Sequence, residues 1–209
     1  MEFQDRVDGA QQLASKLQDY SNKQDCVVLG IPRGGVVTAN VIAQALKLPL
    51  DVIVVRKIGA PFNREMALGA VTQDGKVYLD RAGMRMAGVT QADLDLIIAA
   101  EIQEAERRAQ IFHLKRGAMN LAGKIAIIVD DGIATGQTMT AAVAYARQQG
   151  ARFIVVAAPV IAREALVMLR RPGIIVVCVQ SPERFDAIGQ FYRIFNQIED
   201  EQVEAILRK

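Results

Sequence analysis

The second half of the chain alternates short, uninterrupted apolar runs with segments of helical spacing, and this alternation restricts the possible fold more than any other feature. Strands that are apolar throughout are typical of a parallel sheet covered on both faces. Parallel neighbours also need a crossover between them, and the intervening segments supply helices for it. We therefore predict an α/β fold with a parallel-sheet core and helices on both faces. The predicted strands are 124–129, 152–158 and 174–179, and the predicted helices are 136–149 and 161–170.

The first part of the chain fits the same scheme. Buried strands are predicted over 26–31 and 50–55, and a helix over 36–46. Near the N-terminus, apolar residues step by four and three and predict one buried face of an amphipathic helix. That stripe consists of Phe3, Val7, Ala10, Ala14 and Leu17.

The stretch 62–120 interrupts the alternation and is predicted to form a flap or cap beside the sheet. Alternating residues around Gln73-Asp74-Gly75 indicate a hairpin. A long helix follows, with Thr90 as its N-cap and an ion pair between Glu104 and Arg108. Glu65 in this stretch is either a site residue or a solvated side chain. We predict a single domain over 1–209, in which 181–209 forms a C-terminal hood with a last helix over 199–207.

Composition excludes several classes of protein. The net charge is +2 and the basic residues are spread along the chain, so we expect no nucleic-acid partner. No apolar stretch reaches about 18 residues, so we expect no membrane span. The N-terminus lacks a signal-like apolar run, and the two cysteines lie in apolar strands, so we expect a cytoplasmic protein with two buried thiols.

The segment that joins the strand ending at Val129 to the next helix carries the clearest chemistry. Small residues and a helix N-terminus favour the approach of an anion, and Thr135 and Thr138 add hydroxyl donors. Two adjacent carboxylates, Asp130 and Asp131, would repel that anion and must meet hydroxyls or a cation instead. A ribose 5-phosphate presents both a phosphate and a vicinal diol. The alternative is an acidic N-cap before an ordinary helix, for which one aspartate would be enough.

An apolar strand followed by Asp-Asp-Gly-x-Ala-Thr-Gly-x-Thr resembles the binding motif of the type I phosphoribosyltransferases. The resemblance implies that Asp130 and Asp131 hold the ribose hydroxyls and that the following loop wraps the 5-phosphate. It also implies phosphoribosyl pyrophosphate as substrate together with Mg²⁺, with Asp130 and Asp131 as metal ligands, directly or through water. The phosphoribosyl pyrophosphate-binding segment would then comprise Asp130, Asp131, Gly132, Ile133, Ala134, Thr135, Gly136, Gln137 and Thr138.

Two further loops resemble the pyrophosphate-binding parts of the same family. Arg33 and Gly34 follow the first strand, and Arg56 and Lys57 follow the second. The resemblance implies that Arg33 and Lys57 act in catalysis with the two aspartates, by steadying the leaving pyrophosphate. A plain turn at Arg33 and snorkelling side chains at the second strand end are the alternatives.

The resemblance extends over nearly the whole chain and is specific to a group of phosphoribosyltransferases of unassigned substrate. Ala134 stands where enzymes of 6-oxopurines carry an acid, so hypoxanthine and guanine are less expected as acceptors. The implied activity is transfer of a phosphoribosyl group to a nitrogenous base. A sensor of phosphoribosyl pyrophosphate or nucleotides and a phosphohydrolase are the alternatives. Similar proteins are often dimers, and a homodimer rests on that likeness alone.

Three aromatic residues and the single histidine complete the candidates. Phe185, Phe191 and Tyr192 would either stack on a base or pack the last helix against the core. His113 is expected at the surface or at a helix end rather than in catalysis.

Overall fold

The computed structural model describes residues 2–113 and 117–208, apart from the side chain of Glu65. Its helices and strands follow one another along the chain in the order α1 Arg6–Ser15, β1 Cys26–Gly30, α2 Gly34–Leu46, β2 Leu50–Val52, β3 Val55–Ala60, β4 Asn63–Thr72, β5 Val77–Leu79, α3 Arg81–Ala87, α4 Gln91–His113, β6 Ile125–Val129, α5 Gln137–Gln148, β7 Phe153–Val160, α6 Arg163–Leu169, β8 Ile174–Gln180 and α7 Asp200–Leu207.

A five-stranded parallel sheet forms the centre of the fold, in the order β2-β1-β6-β7-β8. The inner strands are apolar throughout because helices cover both faces. One face packs on α5 and α6, and the other packs on α1 and α2. The predicted parallel α/β core is confirmed.

A second, antiparallel sheet of β3, β4 and β5 stands beside the first. The predicted hairpin is present, and its turn includes Gly75 in the left-handed region at φ 76°. The long helix α4 is also present, with reciprocal hydrogen bonds between Thr90 and Asp93 at its start and the expected Glu104–Arg108 ion pair at 2.7 Å. The small sheet begins at Val55, seven residues before the predicted start of the flap at 62.

The prediction of one strand over 50–55 was wrong. The chain leaves the main sheet after Val52 and enters the small sheet at Val55. The run from Val52 to Val55, which crosses from one sheet to the other, is apolar and buried throughout, so hydrophobicity does not mark the boundary between the sheets.

The predicted stripe of the first helix was wrong at one position. Val7 is 42% exposed, whereas Arg6 is 9% exposed and lies on the buried face with Ala10, Leu13 and Leu17. An arginine can occupy this position because it meets a buried carboxylate there.

Candidate functional site

Two of the three predicted loops meet at the carboxyl ends of β1 and β6. Gly30 and Val129 are paired in register, and the amide of Ile31 donates to the carbonyl of Val129 at 2.9 Å. The contact continues beyond the strands, because a Cβ atom on Gly35 would lie 2.8 Å from the carboxylate of Asp130. Glycine therefore lets the segment 31–35 lie directly against the acidic pair.

The segment 130–138 is anchored at its middle and open at its tip. The amide of Ile133 donates to Val160, and the carbonyl of Ile133 accepts from Ala162. Gly136 then takes a left-handed conformation at φ 77° immediately before α5. Ala134 and Thr135, between these two points, are exposed. The result is a fixed turn of small residues at the start of a twelve-residue helix, which is a favourable geometry for an anion.

The two aspartates differ in their surroundings. Asp130 is partly exposed, and its Oδ1 accepts from the amide of Asp131 at 2.8 Å. Asp131 is 7% exposed, and its Oδ2 accepts from Nε of Arg6 at 2.7 Å. Although the residue as a whole is partly exposed, the carboxylate of Asp130 is packed against Gly35 and loses water there. This desolvation, and after it the charge of Asp131, raise the pKa of Asp130 well above its ordinary value of 3.8, and the charge of Arg6 opposes part of this rise.

Arg33 lies at the start of α2, and the peptide bond between Pro32 and Arg33 is cis. Its side chain is turned toward the C-terminal segment, where Nη1 donates to Oε2 of Glu199 at 3.0 Å. Asp200 at the start of α7 is 3.9 Å from the same nitrogen. An anion that recruits Arg33 therefore has to compete with two carboxylates for the guanidinium.

Arg56 and Lys57 lie within strand β3 rather than in a loop, which corrects their predicted setting. The change follows from the early exit of the chain from the main sheet. Arg56 donates to Glu101 of α4 at 2.8 Å. Lys57 is paired with Ala70, which packs in the cluster that contains α5. Residues paired across two strands share a face, so Lys57 lies on the face that packs against α5, the helix that follows the phosphate-type loop.

The remaining candidates divide between this site and the core. Tyr192 is buried and packs on Phe3 and Phe195, so it belongs to the core. The rings of Phe185 and Phe191 lie 4.9 Å apart. Ile188, from the same segment, packs against Gly132 of the predicted phosphoribosyl pyrophosphate loop.

His113 ends α4, as expected, but is largely buried beside Asp51, with Nε2 3.4 Å from Oδ1 of Asp51. Of the two settings expected for His113, the structure shows the helix end, where the ring lies against Asp51 of β2. The possible role of Glu65 lies outside the described side chains.

Two contacts of the site were missed by the sequence reasoning. They are Arg6, which holds Asp131, and Glu199, which holds Arg33. Arg6 had a signal in the sequence, since it lies four residues before Ala10 and seven before Leu13, within the buried stripe. For Glu199 we find no such signal, because its partner is 166 residues away.

Comparison with known proteins places this arrangement in a family. Residues 2–191 match the family model for the phosphoribosyl transferase domain. The chain belongs to the phosphoribosyl transferase family. The resemblance noted in the sequence is thereby confirmed.

Individual relatives agree with this assignment. Two Mycobacterium tuberculosis proteins, MT0597 and Rv0571c, are named provisionally as phosphoribosyl transferases and are each 43% identical over 205 residues. The match covers 98% of this chain but 46% of each relative, so this phosphoribosyl transferase domain spans about half of their length.

Solved structures support the fold. The crystal structure of TT1426 from Thermus thermophilus is 39% identical and covers 99% of this chain and 98% of its own, with a TM-score of 0.79. The AQ2163 protein from Aquifex aeolicus is 14% identical, covers 88% of this chain and 76% of its own, and has a TM-score of 0.54, which bears on the fold alone.

Two negative findings apply to residues 2–113 and 117–208. No helix there has the length and apolar character needed to cross a membrane. No group of three or more histidine, cysteine, aspartate or glutamate side chains is placed to hold a metal ion.

Proposed function

We propose that this phosphoribosyl transferase domain transfers the 5-phosphoribosyl group from phosphoribosyl pyrophosphate to a nitrogenous base and releases pyrophosphate. The observation that carries the proposal is the contact between the segment 31–35 and the segment 130–138. This contact supports the proposal because it brings the small-residue turn before α5, the turn at 31–35 and the carboxylate pair to one end of the sheet, where open α/β sheets bind ligands.

Each part of the site has a role in this proposal. The turn from Ala134 to Thr138 would receive the 5-phosphate through backbone amides and threonine hydroxyls. Asp130, the more exposed acid, would accept hydrogen bonds from the ribose hydroxyls. Arg33 would leave Glu199 and bind the pyrophosphate, and Lys57, on the face of β3 that packs against α5, would add a second positive charge. Arg56 lies on the opposite face of β3 and would first have to leave Glu101 to take part.

Mg²⁺ enters this proposal as part of the substrate. The carboxylate of Asp131 is already paired with Arg6, and this leaves Asp130 as the acid of the pair more open to a cation. A magnesium ion bound by the pyrophosphate oxygens, with water completing its shell, would need little from the protein.

The proposed reaction forms a bond between a ring nitrogen of the base and the anomeric carbon, while the bond from that carbon to pyrophosphate breaks with its electron pair. The base gives up one N–H proton in the process, to water or to a pyrophosphate oxygen. The ribose gains positive charge in the transition state. The carboxylate of Asp130 would stabilise that charge, and the basic side chains would stabilise the leaving pyrophosphate. The small sheet and α4 would act as the flap that excludes water, because hydrolysis competes with transfer.

The site restricts the choice of acceptor base only in part. Ala134 is exposed at the tip of the loop and carries no group that could handle a proton of the base. We therefore expect weak or no transfer to hypoxanthine and guanine, and test purines and pyrimidines together.

The test is calorimetric titration of the protein with Mg²⁺ and phosphoribosyl pyrophosphate, followed by a pyrophosphate-release assay over a panel of bases. Asp130→Asn should weaken binding by about 1.5–3 kcal/mol, the usual range for hydrogen bonds to a charged group. Asp95→Asn, an exposed acid on α4, is the matched control and should bind like the unmodified protein.

The outcomes separate the candidate functions. Binding with release of pyrophosphate supports the transferase and identifies its base. Binding with no release for any base favours a sensor of phosphoribosyl pyrophosphate. An absence of binding would show that the loop has another ligand, and the proposal would be abandoned.

A further inference from the structure

A buried ion pair connects the first helix to the acidic pair of the site. Nε of Arg6 donates to Oδ2 of Asp131 at 2.7 Å, and each side chain is 10% exposed. The two residues are 125 positions apart in the chain. A buried pair of this kind is costly to assemble and very costly to break on one side, because the remaining charge has no partner.

The C-terminal segment holds Arg6 in place. One guanidinium nitrogen donates to the carbonyl of Asn196 at 2.8 Å, and the guanidinium carbon lies 3.8 Å above the ring of Phe195. Arg6 therefore has a fixed position, set by a segment that is distant from it in sequence, and is not free to follow a ligand.

Asp131 is enclosed from two further directions. The hydroxyl of Tyr192 donates to the backbone carbonyl of Asp131. On the other side, the Cα of Gly34 is so close that a Cβ atom there would overlap Oδ2 of Asp131. Oδ2 of Asp131 is thus enclosed by Arg6 and Gly34, and a ribose hydroxyl has no open approach to that oxygen.

Asp130 depends on this arrangement. The amide of Asp131 donates to Oδ1 of Asp130 at 2.8 Å, so the backbone that Arg6 and Tyr192 fix through Asp131 also orients the carboxylate of Asp130. Asp130 is the more exposed of the two, and Gly35 allows the neighbouring loop to approach it.

We propose that the two acids have separate tasks, in which Asp130 meets the ribose and Asp131 is a positioning residue locked by Arg6. This inference rests on the proposed function. It departs from the expectation that both acids hold the hydroxyls, and it gives the N-terminal helix and the segment around Asn196 a part in forming the site.

The decisive variant removes both charges of the pair together. Arg6→Gln alone leaves the Asp131 carboxylate buried without its partner and should weaken binding of Mg²⁺-phosphoribosyl pyrophosphate about tenfold or more. Adding Asp131→Asn leaves two neutral amides that can hydrogen-bond, and should recover most of that loss. Arg6→Lys keeps the charge and should fall between the unmodified protein and Arg6→Gln.

The affinity of the double variant compared with that of Asp130→Asn shows whether Asp131 contacts the ligand. We expect the double variant to bind at least about tenfold more tightly than Asp130→Asn, since it keeps the acid that contacts the ribose. A double variant as weak as Asp130→Asn would show that Asp131 is itself a ligand, and would overturn the inference.

A second measurement is made on the unmodified protein and uses a variant only to assign the signal. In nuclear magnetic resonance spectra, the Nε–H signal of Arg6, assigned by its loss in Arg6→Lys, should persist at saturating phosphoribosyl pyrophosphate. Loss of this signal on binding would mean that Asp131 leaves Arg6 for the ligand, against the inference. If the unmodified protein binds no phosphoribosyl pyrophosphate, the proposed function and this role fall together, whereas binding with a weak double variant refutes the role alone.

Discussion

Gly34 and Asp131 approach so closely that a Cβ atom on Gly34 would lie 1.9 Å from Oδ2 of Asp131. The same Cβ would lie 2.9 Å from Nε of Arg6. The glycine that begins α2 is therefore required by the packing of the acidic pair, and the close approach of the two loops depends on it.

Gly34→Ala should lower the free energy of unfolding by about 1–3 kcal/mol, because the added methyl group forces the buried ion pair apart. Urea unfolding followed by circular dichroism measures this. Asn40→Ala, further along the same helix, is the control and should change stability little. Equal stability of Gly34→Ala and the unmodified protein would mean that the two loops do not pack as described.

Glu199→Gln should strengthen binding of pyrophosphate and of phosphoribosyl pyrophosphate about twofold to fivefold. The reason is that Arg33 no longer has to leave the Glu199 carboxylate, which is 54% exposed and so holds it by about 1 kcal/mol or less. Calorimetry at low salt tests this, since salt weakens exposed pairs.

Glu183→Gln is the matched control for Glu199→Gln. It removes the same charge from an exposed pair with Arg163 at the same 3.0 Å distance. If both variants gain equally, the effect is one of net charge and not of Arg33.

Asp130→Asn should stabilise the unliganded protein while it weakens ligand binding. The folded-state pKa of Asp130 is raised, chiefly by burial, so the ionised form is disfavoured by folding. Stability therefore falls as pH rises from the ordinary value of 3.8 through the raised pKa. At pH values above that range, the Asp130→Asn variant should have a free energy of unfolding about 1 kcal/mol higher than the unmodified protein, or a Tm a few degrees higher.

The pH dependence checks the cause of that gain. The advantage of Asp130→Asn should vanish below pH 3.8, where the acid is protonated in both states. An advantage that stays the same at low pH would point to packing rather than to charge.

Glu104 should stabilise the folded protein when it is ionised, which is the reverse of the effect expected for Asp130. Hydrogen bonds from Arg107, and further contacts with Arg108, lower the pKa of Glu104 from 4.5 to about 2. Its contribution is complete above pH 4.5 and is lost as pH falls toward 2. Glu104→Gln should lower the unfolding free energy at pH 7 by about 1 kcal/mol, and the difference should close near pH 2.

Glu106→Gln serves as the control for Glu104→Gln, because Glu106 is exposed on the same helix. Urea titrations at several pH values compare the two. A loss in Glu104→Gln that does not change with pH would remove the ion pairs as its cause.

Several features of the fold were readable from the sequence. The uninterrupted apolar strands indicated a sheet covered on both faces, and β1, β6 and β7 are buried in this way, whereas β8 at the edge of the same sheet is only partly buried. The turn at Gly75 and the cap at Thr90 depend on local hydrogen bonds and backbone conformation, and so they too follow from short stretches of sequence.

The secondary-structure prediction failed where two neighbouring segments of similar hydrophobicity pair with different strands. The run from Val52 to Val55 is apolar and buried throughout, so only the register with β1 and β4 shows where the chain changes sheet. Val7 was placed on the buried face by hydrophobicity alone, whereas Arg6 occupies that face because it meets a buried carboxylate.

The parallel strands and the segment from Asp130 to Thr138 could be recognised in the sequence, because each depends on residues that are neighbours in the chain. Which charges meet could be seen only in the folded protein. Arg6 reaches Asp131, and Arg33 reaches Glu199, across more than a hundred positions. Such pairs depend on how α1 and α7 dock on the sheet, and docking is set by the packing of the whole core rather than by any local pattern.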